Sequence, residues 1–280
     1  MGVDFSEQQW QQVKDNYRLW WADRLDRPLV QVIFTGCDPG RGEPTLPGYA
    51  FTSFYDLDVP AEAIVDRWDY DLACLRFAGD AFPCIWPNFG PGIMAAFLGA
   101  ELKNGAETVW FNPPSNLDIA DIRFQYRGQS LWLDRIKDIY GAAAKYWNGL
   151  VQLSMTDLGG SLDVLATFRP GEKLLLDLYD APEEVKRLTW ETHDCWFKYY
   201  QELGRISKPT NPGYSTWAGI FSCEPYYMLQ CDFSYMIGPD MFDEFVKPEL
   251  LQSCKQLRKS FYHLDGPGAL THLDSLLEIE

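Results

Sequence analysis

Residues 150–168, LVQLSMTDLGGSLDVLATF, contain in one stretch the features that indicate the fold. The run 150–155 is short and largely apolar, which is typical of a buried β-strand. The segment 157–160 is polar and rich in glycine and predicts a loop, and a helical pattern follows over 161–168. A strong helical pattern over 131–147 precedes the strand. The stretch therefore predicts a helix–strand–loop–helix unit of the type that builds parallel sheets.

Four more strand-length runs flank this unit, and helical patterns separate them. These runs are 29–34, 83–86, 214–218 and 260–263, and the β-branched run 29–34 is typical of a buried strand. Consecutive strands joined by helices form right-handed βαβ units, with a parallel sheet inside and helices outside. Five units fit a doubly wound sheet, and they also fit most of a (β/α)8 barrel, which would need roughly three further units. The last helical pattern, 268–277, has no glycine cap or breaker before Glu280, so the sequence looks cut off.

Three other segments have clear local patterns. An amphipathic helix is predicted over 6–25, where Ser6 and Gln9 form a capping box. Residues 35–58 are rich in Gly, Pro and Asp and predict a long loop, a type of segment that is often functional. A single helix is predicted over 239–257.

Composition excludes several classes of partner. The chain has 24 basic and 40 acidic residues and a formal net charge of −16. A field of this sign repels the phosphates of nucleic acids and the head groups of anionic lipids, so we expect neither nucleic-acid nor membrane partners. An anionic substrate would need a local basic pocket. Aromatic residues make up 15%, with eleven Trp, which indicates a large core, an aromatic-lined cavity or both.

Targeting patterns, cysteine spacing and catalytic motifs indicate the compartment and limit the classes of enzyme. The first residues have neither the basic nor the apolar region of a signal peptide, and no stretch approaches the length of a membrane span. The seven cysteines are odd in number, scattered and without a CxxC pair, which favours a cytoplasmic protein and argues against a zinc ribbon. The motifs of serine hydrolases, P-loop NTPases, HExxH proteases and Rossmann domains are missing, so we expect no nucleotide cofactor.

Polar residues that follow the predicted strands are the candidates for chemistry, because parallel α/β folds bind ligands at the C-terminal ends of their strands. We interpret five of them as substrate-binding residues, namely Asn88, Trp217, Tyr226, Gln230 and Asp232. We interpret three as catalytic residues, namely Asp157, His263 and Asp265.

The pair His263 and Asp265 is the sharpest of these signals. Alternate residues of a strand point the same way, so both side chains can face one site. Imidazole and carboxylate groups bind metals such as zinc, and they also form proton-transfer pairs. The alternative is a hydrogen-bonded histidine at a strand end, followed by an aspartate that caps the next helix.

Two other candidates have plain structural alternatives. Asp157 either directs its carboxylate into a cavity, where Gly159 and Gly160 leave room for a ligand, or caps the helix that begins near Ser161. Asn88 opens the segment NFGPG, whose backbone N–H groups could cradle a ligand, although the spacing favours an ordinary turn.

The sequence resembles the uroporphyrinogen decarboxylase superfamily, which also contains the zinc methyltransferases that act on methyl-corrinoid proteins. The similar segments occur in the family's order and cover most of the chain. They are DLGGSLD (157–163), LLLDLYDAPEEV (174–185), WAG (217–219), DMFDEF (240–245) and YHLDG (262–266). Each is a weak motif alone, and their order and spacing give the resemblance its specificity.

This resemblance implies a single TIM-like (β/α)8 barrel domain over 1–280, incomplete because its last strands are missing, with a deep cleft at the C-terminal ends of the strands. In the methyltransferase branch, a His-x-Cys-Gly element and a distant Cys hold zinc, which lowers the pKa of a thiol acceptor. The matching element here begins at His263 and has Asp265 in place of the Cys. The implied metal ligands are therefore His263 and Asp265, with a third beyond Glu280, and the implied partner is a corrinoid protein.

The decarboxylase branch carries an Arg-rich stretch after the first strand, which grips substrate carboxylates, and an Asp after the second strand. Here the corresponding positions offer Arg41 beside Asp38, and Asn88. The preferred hypothesis is therefore a methyl (one-carbon) transferase that is linked to a corrinoid protein and uses a metal site. The alternatives are a decarboxylase of tetrapyrrole metabolism and a non-catalytic barrel that binds a small molecule. An open barrel edge would favour a homodimer.

Overall fold

A computed structural model describes residues 2–279 and has a mixed α/β fold, as the alternating patterns predict. Its strands, in chain order, are β1 (Gln31–Phe34), β2 (Arg76–Gly79), β3 (Cys84–Ile85), β4 (Glu101–Asn104), β5 (Val109–Asn112), β6 (Gln152–Leu153), β7 (Tyr226–Gln230) and β8 (Lys259–His263).

The helices vary from a single turn to 26 residues. They are α1 (Glu7–Trp21), α2 (Ala61–Ala73), α3 (Met94–Phe97), α4 (Leu131–Trp147), α5 (Ser161–Phe168), α6 (Lys173–Asp180), α7 (Pro182–Ser207), α8 (Pro239–Phe245), α9 (Lys247–Gln256), α10 (Gly266–Ala269) and α11 (Leu273–Leu277). Short 3-10 helices occur at Thr52–Phe54, Ile119–Asp121, Asp232–Met236 and Leu270–His272. Within residues 2–279, no helix has both the length and the apolar character that a membrane span needs.

The strands pair two by two. β3 and β6 are parallel, with Cys84 opposite Gln152 and Ile85 opposite Leu153, which confirms the parallel pairing predicted for the second and third strand units. β1–β2 and β4–β5 are antiparallel ribbons, and β7 pairs with β8. The strands assigned within residues 2–279 therefore form four two-stranded sheets and no closed barrel.

The first predicted strand forms, but it is not buried. In β1, the exposed fractions of Val32, Ile33 and Phe34 are 39%, 49% and 56%. Its partner is β2, which runs antiparallel to it and follows helix α2. A β-branched apolar run indicates a strand, whereas burial depends on which other elements cover it, so the prediction of a buried strand was wrong.

The predicted fourth strand lies in a different place. Tyr214 makes an isolated antiparallel bridge to Ser222, and the regular strand is β7, twelve residues farther along the chain. Tyr226 and Gln230, which were predicted to follow the fourth strand, are thus the first and last residues of a strand whose five residues are all buried. A strand buried on both faces lacks the alternating pattern that sequence analysis detects.

Two compact units make up the chain, and each is built from three segments. The first unit contains Met1–Asn88, Asp134–Thr156 and Leu203–Tyr226, and the second contains Phe89–Leu133, Asp157–Glu202 and Tyr227–Glu280. An aromatic cluster forms the core of the first unit, where the Phe221 ring lies 5.8 Å from Trp10, 5.7 Å from Tyr17 and 5.5 Å from Phe82.

Helix α1 begins as its sequence predicts. The Ser6 hydroxyl accepts a hydrogen bond from the Gln9 N–H, and the Gln9 side chain accepts one from the Ser6 N–H, which completes the capping box. The Trp10 ring donates to the carbonyl of Leu150 at 2.9 Å, tying the helix to the segment before β6. The helix ends at Trp21, four residues earlier than predicted.

The second unit has its own aromatic core around α7. The Trp196 ring lies 4.7 Å from Tyr227 of β7, and Phe97 of α3 lies 5.0 Å from Tyr199. The helix predicted over 239–257 is divided into α8 and α9 at Val246. The division lies just before Pro248, because proline removes a helical N–H and restricts the residue before it.

Candidate functional site

The candidate site lies where β7 and β8 end in the second unit. Asp232 follows β7 by two residues, His263 is the last residue of β8, and Asp265 follows His263 by two residues. One ring nitrogen and two carboxylate oxygens of these residues lie within 4.8 Å of one another. We name this group of three residues the Asp–His–Asp cluster. It joins the predicted pair to Asp232, which the sequence had suggested only as a substrate-binding residue.

The Asp–His–Asp cluster is accessible to solvent. His263 is half-buried, and Asp232 and Asp265 are exposed. Partial burial raises the pKa of Asp232, the neighbouring His263 lowers it, and the Asp265 charge raises it. A cation from solution can therefore reach the carboxylates, and it would relieve the repulsion between them.

The geometry of the cluster fits a divalent metal ion. Zinc binds nitrogen and oxygen ligands at about 2.0–2.2 Å, so tetrahedral ligand atoms lie about 3.4 Å apart. The donor atoms here are within 4.8 Å of one another, so a bound ion would have to draw them closer together. Three protein ligands with a fourth position open is the arrangement of catalytic rather than structural zinc sites. Two carboxylates and one imidazole form a harder donor set than one containing thiolates, so Mn²⁺ and Co²⁺ also suit it.

Asp163 holds the turn that carries Asp232. Its carboxylate accepts hydrogen bonds from the backbone N–H groups of Asp232, at 3.1 Å, and Phe233, at 2.8 Å. Burial and the Asp232 charge raise the pKa of Asp163 to about 6, and the bonds from Phe233 and Asp232 lower it. Asp163 lies in the first turn of α5, so this helix positions a residue of the cluster without contributing a ligand.

Sequence reasoning did not single out Asp163. An acidic residue in the first turn of a helix usually interacts with the N–H groups of its own helix. The residue before α5 is Gly160, which has no side chain to cap the helix. The Asp163 carboxylate interacts with the Gly160 N–H and also reaches a turn almost seventy residues away. No local pattern predicts that partner.

Asp157 is buried beside this region, with 6% of its surface exposed. Its carboxylate accepts a hydrogen bond from the Gly159 N–H at 2.8 Å, and its carbonyl accepts one from Ile93 at 2.9 Å. Burial raises the pKa of Asp157 to about 7, the Gly159 N–H lowers it, the charges of Asp163 and Asp232 raise it, and the Gly92 N–H lowers it. Asp157 therefore joins the turn at Gly92 to the turn at Gly159. It does not cap α5, because the N-cap residue of that helix is Gly160.

The glycines of this loop allow other backbone segments, rather than a ligand, to approach. A Cβ atom on Gly160 would lie 2.3 Å from the carbonyl oxygen of Gln230, and one on Gly159 would lie 2.8 Å from the Cα of Gly92. Gly159 also has a φ of +81°, which favours glycine. Two further polar groups of the loop are bound by protein. The Trp196 ring donates to the Gly159 carbonyl at 3.1 Å, and the Leu158 N–H donates to the Tyr227 hydroxyl at 2.8 Å.

A small cleft adjoins Asp232. It has a volume of about 40 Å³ and is lined by Pro91, Gly92, Gly159, Asp163, Val164, Thr167, Gln230 and Asp232. This space is enough for roughly two or three water molecules. Gln230, which was predicted to bind substrate, therefore lies beside Asp232 in the wall of this cleft.

The other predicted binding residues belong to the first unit. The Asn88 side chain donates to the Ala50 carbonyl at 3.1 Å, so it fixes the long loop that was predicted over 35–58. The Trp217 ring is half-buried and lies 6.1 Å from Trp86. Tyr226 is fully buried, and burial raises its pKa to about 12, opposed by a hydrogen bond with Thr216. Their predicted roles in binding substrate stay predictions.

Comparison with known proteins identifies the fold. No protein-family model and no curated protein sequence matches the chain. Among solved structures, the chain is similar to a methyltransferase from Methanosarcina mazei, with a TM-score of 0.60 and 10% sequence identity, over 90% of this chain and 70% of that one. At this identity the likeness concerns the fold alone. The chain thus has the α/β fold of a known methyltransferase.

Proposed function

We propose that this protein is a methyl (one-carbon) transferase whose metal site is formed by Asp232, His263 and Asp265. The observation that carries the proposal is the convergence of these three donor groups, within 4.8 Å, at the ends of two paired strands. The similarity of the fold to that of a methyltransferase supports the same reaction class. We further propose that the fold is related to the (β/α)8 barrel that the sequence resemblance implies.

A divalent ion in the Asp–His–Asp cluster would act as a Lewis acid and lower the pKa of a bound thiol acceptor. The chain's own residues prepare this position. Asp163 fixes the backbone of Asp232, so the carboxylate needs little reorganisation to bind. The cleft of about 40 Å³ beside Asp232 has room for a one-carbon group. A corrinoid protein is the proposed methyl donor, and a small thiol is the proposed acceptor.

The surroundings of Arg41 favour this reaction over decarboxylation of a polycarboxylate. Arg41 is the one arginine in the segment that follows the first strand, where the decarboxylase branch grips its substrate. Its guanidinium donates to the Asp66 carboxylate and carbonyl, both at 2.8 Å, and to Asp69 at 3.5 Å. Because these acidic groups already neutralise its charge, Arg41 has little capacity to bind a substrate carboxylate.

Methyl transfer to a thiol tests the proposal directly. Zinc-loaded protein is mixed with methylcobalamin, as a stand-in for the corrinoid protein, and with a small thiol. The thiol releases its proton to solvent, its sulfur forms the new bond to the methyl group, and the electron pair of the broken cobalt–carbon bond remains on cobalt as Co(I). The expected result is a faster loss of the methylcobalamin absorbance than without protein, and a rate at least about 100-fold lower in a His263→Ala variant.

A matched control is Asp274→Asn, which changes an exposed acidic residue of α11 outside the cluster and is expected to retain the activity. Equal rates for the wild type and the His263→Ala variant would contradict the proposal. Consumption of uroporphyrinogen in a parallel reaction would instead indicate a decarboxylase. Ligand binding with no turnover of either substrate would indicate a binding protein.

A further inference from the structure

A second cavity in the second unit has a different chemistry. Its volume is about 160 Å³, and it lies between the segment 114–127 and the ends of α3 and α5. The apolar part of its wall consists of Leu98, Pro114, Leu117, Ile122, Phe124 and Phe168. Its polar part consists of Ser115, Arg123 and Arg127. It shares no lining residue with the Asp–His–Asp cluster or the cleft beside Asp232.

The two arginines at this cavity keep their positive charge available. Arg123 donates to the carbonyls of Ala120 and Ile122, both at 2.6 Å, and these acceptors are neutral. Arg127 is exposed, and its backbone N–H donates to the Tyr199 hydroxyl at 3.0 Å. Within the described part of the chain, neither guanidinium is paired with a carboxylate.

Two other arginines of the second unit, Arg169 and Arg187, are neutralised by carboxylates. Arg169, whose guanidinium donates to the Leu117 carbonyl, is bound by Asp177, and Arg187 is bound by Glu184 and Glu191. In a chain with a net charge of −16, two guanidinium groups without a carboxylate partner at the wall of one apolar cavity form a local site for an anion. This is the local basic pocket that an anionic ligand would need to overcome the field of the whole protein.

The size of the cavity limits the ligand. A dry protein cavity of ~150 Å³ lined by Leu, Ile and Phe is known to accept benzene. The cavity here has about the same volume and a wall of similar residues, with the rings of Phe124 and Phe168 lying 4.8 Å apart at one side. The apolar part of the ligand is therefore about the size of one aromatic ring, and its charged part is a group that guanidinium binds well, such as a carboxylate.

We propose that this cavity is a binding site for a small aromatic carboxylate, independent of the proposed metal site. The ring of the ligand lies against Phe124 and Phe168, and its carboxylate accepts hydrogen bonds from Arg127, Arg123 and the Ser115 hydroxyl. Since charge contributes to the affinity, binding weakens as the salt concentration rises.

Calorimetric titration with benzoate tests this site, and acetate and benzyl alcohol serve as comparison ligands. Acetate keeps the charge without the ring, and benzyl alcohol keeps the ring without the charge. The expected result is saturable binding of benzoate, at least about tenfold tighter than either comparison ligand. Acetate binding as tightly as benzoate would overturn the proposal, as would a titration with benzoate that does not saturate.

Variants locate the binding. Arg127→Ala is expected to weaken benzoate binding about tenfold or more, whereas Arg205→Ala, a change of an exposed arginine in the last turn of α7, leaves it unchanged. Leu117→Trp changes a residue that is 44% exposed and is expected to block the cavity without disturbing the core. Equal affinity in the wild type and in both cavity variants would overturn the proposal. Asp265→Asn, which removes a residue of the proposed metal site, is expected to leave benzoate binding intact.

Discussion

Replacing Asp80 with alanine is expected to lower the free energy of unfolding by about 3 kcal/mol. The Asp80 side chain is fully buried in the first unit, directly after β2. Its carboxylate accepts two hydrogen bonds from Arg27, at 2.6 and 2.9 Å, one from the Val30 N–H at 2.7 Å, and one from the Asn16 amide at 2.8 Å. The bond with Arg27 is the main cause that lowers the pKa of Asp80, and burial opposes it.

The size of the effect follows from what the Asp80→Ala variant leaves behind. The Val30 N–H and the Asn16 amide lose their acceptor in the interior. Arg27 keeps 43% of its side chain exposed, so water can still solvate its charge, and the loss stays near the lower end of the ~3–5 kcal/mol typical for breaking a buried pair.

Urea denaturation of the wild type and the variant measures the change. Asp15→Ala is the matched control, because Asp15 pairs with Arg18 while both side chains remain 55% exposed. Its expected cost is below about 1 kcal/mol. Equal losses in the two variants would contradict the role given to burial.

The free energy of unfolding is expected to fall progressively as the pH rises from about 4 to about 7, because the buried Asp157 must ionise in the folded state. Its ordinary pKa is 3.8, and burial raises it to about 7 in the folded state. Between these values the folded protein holds a proton that the unfolded chain has lost, so the folded state is favoured at the lower pH. As the pH rises through this window, each unit costs about 1.4 kcal/mol.

An Asp157→Asn variant isolates this contribution, because the amide is neutral at every pH and can still accept the Gly159 hydrogen bond. The free energy of unfolding of the variant minus that of the wild type should be about 3 kcal/mol larger at pH 8 than at pH 5. Urea titrations of both proteins at the two pH values provide the measurement. A difference that is constant with pH would mean that the buried carboxyl group has no raised pKa.

The parts of the site that are local in sequence could be predicted. The strand near 260–263 contains two adjacent aromatic residues and precedes a glycine turn, and the alternation of side chains brings His263 and Asp265 to the same region. The capping box of α1 and the parallel pairing of β3 with β6 follow from similarly local signals. Each of these features is determined by residues that are close in sequence or by the βαβ connection itself.

The rest depends on partners that are distant in sequence. Asp232 joins the cluster because β7 pairs with β8, and β7 gives no alternating pattern since both of its faces are buried. Asp163 positions Asp232 by binding the backbone of the turn that carries it, about seventy residues farther along the chain. In the same way, nothing within 29–34 indicates that β1 pairs with β2 and leaves its apolar side chains exposed.

Titration of metal-free protein with zinc, followed by calorimetry, is the most direct test of the Asp–His–Asp cluster. The expected result is one ion per chain, bound at least about 100-fold more weakly after His263→Ala or Asp232→Asn, and about 10- to 100-fold more weakly after Asp163→Asn. The Asp274→Asn control should bind as the wild type does. Absence of binding, or the same affinity in the wild type and the Asp232→Asn variant, would contradict a metal site built from the ends of β7 and β8.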